Sequence, residues 1–203
     1  INLDILNFEK LNNYINSLKP NIVYHFAART DLKGKSMKDY LANTRGVRNV
    51  LNALRNCKNL EKSIFASSML VCKTGDNPDN FDYYNPPNLY GKSKMIGEKF
   101  IKNSNLSSTW CIVRPTSIWG PGFKIPYFNY FDFIFKGKYF HTGKQNIRKT
   151  YGYIGNICFQ LEMLIDQDDF HIHKKCFYLG DSSNYNIRNW SDNIAELSGS
   201  KKI

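Results

Sequence analysis

The sequence predicts a doubly wound α/β fold, and three features carry that expectation. Short runs rich in β-branched and aromatic residues alternate with stretches of helical periodicity, the short runs are apolar on both faces, and the alternation continues until the composition changes near Gly120. Strands of this kind need crossover connections, so a parallel sheet covered by helices on both sides is expected.

Each element has its own signal. Phe8, Leu11, Ile15 and Leu18 recur at helical spacing, Pro20 ends the pattern, and NIVYHFA (21–27) follows as a buried strand. Met37, Leu41, Thr44, Val47, Leu51 and Leu54 mark a second helix, after which KSIFASS (62–68) reads as a second strand. A third helix is expected over 90–103 and a third strand over STWCIVRP (108–115). From about Gly120 the rhythm gives way to GPGFKIPYFNYFDFIFKGKYF, then a helix GNICFQLEMLI, a short strand CFYLG and a last helix over 189–197. The expected division is a core over 1–119 and a smaller lobe over 120–203, with some return of the chain to the core.

With 203 residues, 42% of them hydrophobic and 15% aromatic, the chain can bury a sizeable core, which argues against disorder. Cys57, Cys72, Cys111, Cys158 and Cys176 are odd in number, never fall as C-x-x-C and mostly lie in apolar runs, so they read as reduced core thiols in a cytoplasmic protein. No stretch approaches the roughly 18 apolar residues of a membrane span, and INLDILNFEK lacks the regions of a signal peptide. The net charge of +11 suits anionic partners, but the lysines are scattered and no nucleic-acid signature accompanies them. A basic surface serves the phosphates of dinucleotides and nucleotide sugars equally well.

The residues that could carry chemistry centre on PNLYGKSKMIGEKF (87–100), where Tyr90 and Lys94 stand one helical turn apart and share a face. A fixed cation stabilises a phenolate, so Tyr-x-x-x-Lys is a workable acid/base unit, although such a pair alone is more often plain helix surface. The strand KSIFASS ends in Ser67 and Ser68, at the carboxyl end of a parallel strand where such sheets bind ligands. A hydroxyl there can hold a substrate oxygen while Tyr90 moves its proton; alternatively the serines cap the strand or the next turn. His171 and His173 in HIH would share one strand face but lack partners at metal spacing, so no metal site is expected. Trp110, Phe128, Tyr130, Phe133 and Phe135 read as core of the smaller lobe, and His25 as a satisfied interior histidine.

Together, FASSMLV, YGKSK and RPTSIWGPG in that order resemble the extended short-chain dehydrogenase/reductase superfamily, in its NAD-dependent sugar-nucleotide epimerase/dehydratase branch. The resemblance implies a Rossmann-like core, NAD as cofactor with NADP left open, and a nucleotide-sugar substrate. It makes Tyr90 the catalytic base, Lys94 its pKa-lowering partner and ribose ligand, and Ser68 the third member. Asp4 and Ile5 resemble the pair that contacts adenine, YHFAART places Phe26, Ala27 and Ala28 beside the cofactor, and Asn43 matches an Asn that supports the site. Pro115 and Thr116 resemble the segment passing under the nicotinamide; Ser117 stands where relatives often carry a substrate-binding Asn. In IRKTYGYIGNI, Lys149 takes the basic, diphosphate-binding place with Arg148 beside it, while Gly155 and Asn156 replace an acidic pair. Pairing through helices, the superfamily's habit, implies a homodimer, without nucleic-acid or membrane partners.

The chief departure from that pattern is the lack of the Gly-rich turn that holds the pyrophosphate at a helix N-terminus, which predicts an N-terminally truncated version of the fold. Met69 and Leu70 stand where 4,6-dehydratases carry an Asp-Glu pair, and Met69 where fucose-synthase relatives carry a Cys, so both chemistries are disfavoured; Cys72 reads as packing. The sequence thus points to an oxidoreductase or epimerase acting on a nucleotide-linked sugar. The alternative is a fragment or degenerate, non-catalytic member serving as a binding or scaffold protein.

Overall fold

Helix α1 (Phe8–Leu18) begins where the Asn7 side chain accepts a hydrogen bond from the Lys10 N–H at 3.1 Å. It ends at Lys19, whose φ of 49° closes the last turn just before Pro20. The computed structural model describes residues 1–124, 126–141, 146–182 and 184–201. Strand β1 (Ile22–His25) is shorter than the run NIVYHFA suggests, because Phe26 and Ala27 already lie in an exposed loop.

The helix expected from Met37 onward is interrupted: a 3₁₀ helix over Met37–Asn43 precedes α2 (Arg45–Arg55), and Tyr40, at φ −113° and ψ 30°, leaves helical geometry inside the first piece. The cause is tertiary, since Asn43 is drawn into hydrogen bonds with distant partners described below. Strand β2 (Lys62–Ala66), helix α3 (Leu89–Lys102) and strand β3 (Thr109–Pro115) follow. Asn88 starts α3 by accepting from the Gly91 N–H at 2.8 Å. Beyond Pro115 come β4 (Ser117–Trp119), α4 (Tyr127–Phe135), β5 (Arg148–Tyr153), α5 (Ile154–Asp166), the single-turn α6 (Asp169–Ile172), β6 (Lys175–Leu179), β7 (Asn184–Asn186) and α7 (Ile187–Leu197).

The chain forms two units, Ile1–Pro115 with Met163–Tyr178, and Thr116–Glu162 with Leu179–Ile203. The first holds a four-stranded sheet in the order β1-β2-β3-β6. Strand β2 runs parallel to both neighbours, with Tyr24, Ile64 and Cys111 in register, as both-face burial of β2 and β3 demands. Leu11, Val50, Leu54, Phe65, Trp110 and Ile112 belong to one core beneath it.

The second unit holds a three-stranded sheet, β4-β5-β7, in which β4 and β5 are parallel and β5 and β7 antiparallel. Its core is a cluster of rings around Trp190, with Tyr151 at 4.2 Å and Tyr130 stacked at 5.4 Å between centroids.

Several expectations change. Trp110 belongs to β3 and the first unit, while Phe128, Phe133 and Phe135 are 61%, 51% and 55% exposed, because α4 is aromatic all round and buries only Ile134. His171 lies in α6 and His173 just after it, not on a strand, since Asp168 and Asp169 start a helical turn there. Cys72, Cys111 and Cys176 are buried and Cys57 half-buried, but Cys158 is exposed on α5. Among the described residues no cluster of three or more His, Cys, Asp or Glu could hold a metal, and no helix is long and apolar enough to cross a membrane.

Candidate active site

At the carboxyl end of β2 the chain turns through Ser67 and Ser68 into a 3₁₀ turn, Met69–Val71. Ser68 caps that turn, its Oγ accepting from the Leu70 N–H at 3.1 Å, and its side chain favours the ionised form of the Tyr90 phenol. Gly91 makes this approach possible: a Cβ there would stand 2.1 Å from the Leu70 carbonyl oxygen, so only glycine lets α3 lie against the Ser68 turn. Tyr90 is 8% exposed. Burial holds its phenol above the ordinary value of 10.0, Ser68 opposes that rise and Tyr40 adds to it.

Lys94, one turn along, is 7% exposed and its ammonium donates to the Ala66 carbonyl at 2.9 Å. Burial lowers it to about 8, and Glu98 counters the fall. The lysine therefore stays protonated at neutral pH without a direct carboxylate partner, because Glu98 is already engaged. Both Glu98 oxygens accept from Arg114, Nε to Oε1 at 2.9 Å and an η-nitrogen to Oε2 at 2.8 Å, and the Tyr84 hydroxyl donates to Oε2 at 2.9 Å. Both side chains of that ion pair are 0% exposed, and Arg114 also donates to the Phe81 carbonyl and the Tyr178 hydroxyl. For the guanidinium, burial acts against the charge and Glu98 outweighs it.

Asn43, fully buried, ties two elements to the site. Its Oδ1 accepts from the Arg29 N–H at 2.8 Å, and its Nδ2 donates to the Arg29 carbonyl and to Ser93 Oγ, each at 2.9 Å. Ser93 in turn donates to the Tyr90 carbonyl at 2.6 Å. His25, at the end of β1, is 7% exposed; burial and then the Lys94 charge lower its pKa to about 4, so it is neutral at physiological pH.

Ser68, Tyr90, Lys94 and Asn43 thus come together in the first unit. Lys94 is absent from the influences acting on the Tyr90 phenol, its charge being felt by His25 instead. Phe26, Ala27 and Ala28 form the loop past the carboxyl end of β1. Asp4 and Ile5 occupy the turn into α1: the Asp4 carboxylate accepts from the Leu6 N–H at 2.9 Å, and the Ile5 carbonyl accepts from Asn49 of α2 at 2.9 Å. Pro115 ends β3 in the first unit. Thr116 opens the second; its N–H donates to the Leu179 carbonyl at 2.9 Å and its hydroxyl is buried without a partner among the described residues. In the second unit's sheet, Ser117 lies on β4 opposite Tyr151 of β5. Arg148 donates to the Asn184 carbonyl at 3.1 Å, and Lys149 Nζ lies over the rings of Tyr127 and Tyr151 at 5.8 and 5.1 Å.

Sequence reasoning missed Glu98, Arg114, Tyr84 and Ser93. Two signals were available: Glu98 continues the Tyr90, Lys94 face at the next turn, and an arginine inside the apolar run TWCIVRP needs a buried anion.

The donor set fits the ribose end of a nicotinamide dinucleotide. Lys94 has used one of its three N–H donors on Ala66, at the carboxyl end of β2, and can offer another to a sugar hydroxyl. No Gly-rich pyrophosphate turn is among these residues.

Residues 1–132 match the model of the NAD dependent epimerase/dehydratase family. The chain is similar to the N-acetyl-alpha-D-glucosaminyl-diphospho-ditrans,octacis-undecaprenol 4-epimerase of Escherichia coli O157:H7, 32% identical over 123 residues, covering 58% of this chain and 37% of the relative. It is also similar to the 3-beta-hydroxysteroid dehydrogenase of Mycolicibacterium neoaurum, 25% identical over 150 residues, covering 66% and 41%. Among solved structures, the UDP-glucuronic acid 4-epimerase of Bacillus cereus, in complex with UDP-glucuronic acid and NAD, superposes with a TM-score of 0.81 at 21% identity, covering 100% of this chain and 66% of that one. The chain therefore spans about two fifths of the length of these curated relatives.

Proposed function

The chain belongs to the NAD dependent epimerase/dehydratase family, and from that membership and the site geometry we propose that it carries the Ser-Tyr-Lys site of a nicotinamide-dependent oxidoreductase or epimerase acting on a nucleotide-linked sugar. The observation that carries this reading is the juxtaposition of the Ser68 hydroxyl and the Tyr90 phenol with a protonated Lys94 one turn away. NAD, when bound, supplies the acceptor and donor of hydride; NADP would do the same chemistry.

Tyr90 takes the proton of a secondary alcohol as it is oxidised and returns a proton when the ketone is reduced. Ser68 holds the reacting oxygen by hydrogen bonding. Lys94 is proposed to bind the ribose, while at the Tyr90 phenol burial acts against ionisation and Ser68 favours it. Phe26, Ala27, Ala28, Pro115 and Thr116 are proposed to line the cofactor, Asp4 and Ile5 to meet its adenine, and Asn43 to hold the Arg29 loop and α3 in place. Ser117, Arg148 and Lys149 are proposed substrate contacts, the two cations meeting a diphosphate. Two matched relatives are named for sugars carried on a diphosphate, which supports that class.

The test is turnover of UDP-glucose and UDP-glucuronic acid by the full-length protein that contains this sequence, with NAD and with NADP. Tyr90→Phe is expected to abolish turnover while leaving cofactor affinity intact, and unchanged turnover would sink the assignment of Tyr90. Turnover confined to a polyprenyl-diphosphate sugar would replace the nucleotide-linked substrate with a lipid-linked one.

A further inference from the structure

Cations that look scattered in the sequence gather on one face of the first unit. In α2, RGVRNVLNALR, the exposed residues are Arg45, Arg48 and Arg55, whose spacing returns each to nearly the same side of the helix. Helix α3 turns Tyr90, Lys94 and Glu98 inward and exposes Lys92 and Lys99 on its other side, with Met95, Ile96 and Phe100 partly exposed beside them. The two helices follow β1 and β2 in a parallel sheet ordered β1-β2-β3, so both cross back on one side of it. Arg48 joins their outer surfaces, its guanidinium lying over the Phe100 ring at 4.3 Å from the centroid. Neither helix answers these charges. Helix α2 has no Asp or Glu, and the single carboxylate of α3, Glu98, is buried against Arg114. Among the described residues, Arg45, Arg48, Arg55, Lys92 and Lys99 have no carboxylate within ion-pair distance; at the rim, Asp82 pairs with Lys102 at 2.7 Å.

A second copy of the chain fits this face poorly. In a two-fold interface the same patch meets itself, which sets arginines and lysines against like charges. A nucleic-acid backbone would answer the charge but leave Met95, Ile96 and Phe100 without an apolar partner. Both features are met at once by a helix with carboxylates along one flank and an apolar stripe beside them. We propose that the outer face of α2 and α3 docks an acidic amphipathic helix of another protein. Its apolar stripe covers Met95, Ile96 and Phe100, and its carboxylates meet Arg45, Arg48, Lys92 and Lys99. Arginine suits such a place, because its planar fork binds carboxylate through two parallel hydrogen bonds. The inference goes beyond the proposed reaction and stands apart from it, since the docking side of α3 faces away from Tyr90 and Lys94.

The test uses the full-length protein that contains this sequence and a fluorescent peptide of about 21 residues, long enough to hold a helix. The peptide carries leucines at i, i+3, i+4 and i+7 spacing and glutamates and alanines elsewhere. Binding is read by anisotropy at physiological salt. Arg48→Gln, Lys92→Gln and Lys99→Gln together should weaken it by about tenfold or more. Lys35→Gln, Lys73→Gln and Lys138→Gln, which remove the same charge from exposed sites on other elements, should leave it within about twofold. A peptide with serines in place of its leucines should bind about tenfold more weakly as well. Equal losses in the two triple variants, or a serine peptide that binds as well as the leucine one, would overturn the proposal. So would a short RNA duplex or phosphatidylserine vesicles that bind more tightly than the peptide and depend on Arg48, Lys92 and Lys99, which would reassign the face to nucleic acid or membrane. Sedimentation equilibrium covers the remaining case: a dimer that the first triple variant dissociates would give the face to a second copy.

Discussion

Where the first unit buries charged side chains and gives them partners, the second buries aromatic rings and, among its described residues, no charged side chain at all. Lys94, Glu98 and Arg114 are all buried in the first unit. In the second, Trp190 meets Trp119, Tyr130, Phe131, Tyr151 and Tyr185. Directional hydrogen bonds to a buried charge admit few arrangements, so they hold groups in fixed positions. Ring contacts tolerate several geometries. The contrast is between a unit whose buried groups are held in fixed positions and one whose rings tolerate several arrangements.

The largest expected effect comes from breaking the buried ion pair. Arg114→Met should cost about 3–5 kcal/mol in urea denaturation at neutral pH, because Glu98 is left charged and uncompensated. Adding Glu98→Met should recover most of that loss, since apolar replacement of a whole buried pair is often neutral. If the double variant is as unstable as the single one, the pair acts by filling space rather than by satisfying charge, and the contrast between the units collapses.

That pair also marks how far sequence reasoning reached. Helix α1 was legible from its apolar spacing and Pro20, both local signals, while its Asn7 cap went unread. Strands β2 and β3 were legible as doubly apolar runs, whereas β1, expected as a buried strand, leaves Ile22 and Tyr24 each 41% exposed; Ser68, Tyr90 and Lys94 were singled out as a motif and lie together in the first unit. The break between Asn43 and Arg45 was not legible, since the apolar spacing runs straight through it and its cause is Asn43 reaching Arg29 and Ser93. Nor was the exposure of α4: YFNYFDFIF has no polar face, so nothing in it says which side is covered. HIH alternates like a strand, yet a helical turn begins at Asp169. What remained hidden depended on contacts between residues far apart in the chain.

A second effect sharpens the contrast through pH. In the folded protein His25 stays neutral down to about 4, whereas in the unfolded chain it takes up a proton near 6.5. Its contribution to stability is therefore complete above pH 6.5 and is lost as pH falls toward 4, and the difference between the two values amounts to about 3 kcal/mol. His25→Phe should remove that part of the acid sensitivity, read as the difference in unfolding free energy between pH 7 and pH 4. Equal acid sensitivity in the variant would mean that the carboxylates alone govern it.

The smallest effect lies in the second unit, where Trp119, Phe123, Tyr127, Phe128, Phe131 and Phe135 help to line an open apolar groove of about 660 Å³. Exposed apolar surface of this kind binds ANS, and the 203-residue chain should do so while keeping native near-UV circular dichroism, which separates a folded groove from a molten state. Phe128 is 61% exposed, so Phe128→Ser should change stability by no more than about 0.5 kcal/mol while lowering ANS fluorescence. A larger loss would mean that the Phe128 ring is buried in solution. Absence of ANS binding in the unaltered chain would mean that the groove is already covered, and the second unit would then be as tightly partnered as the first.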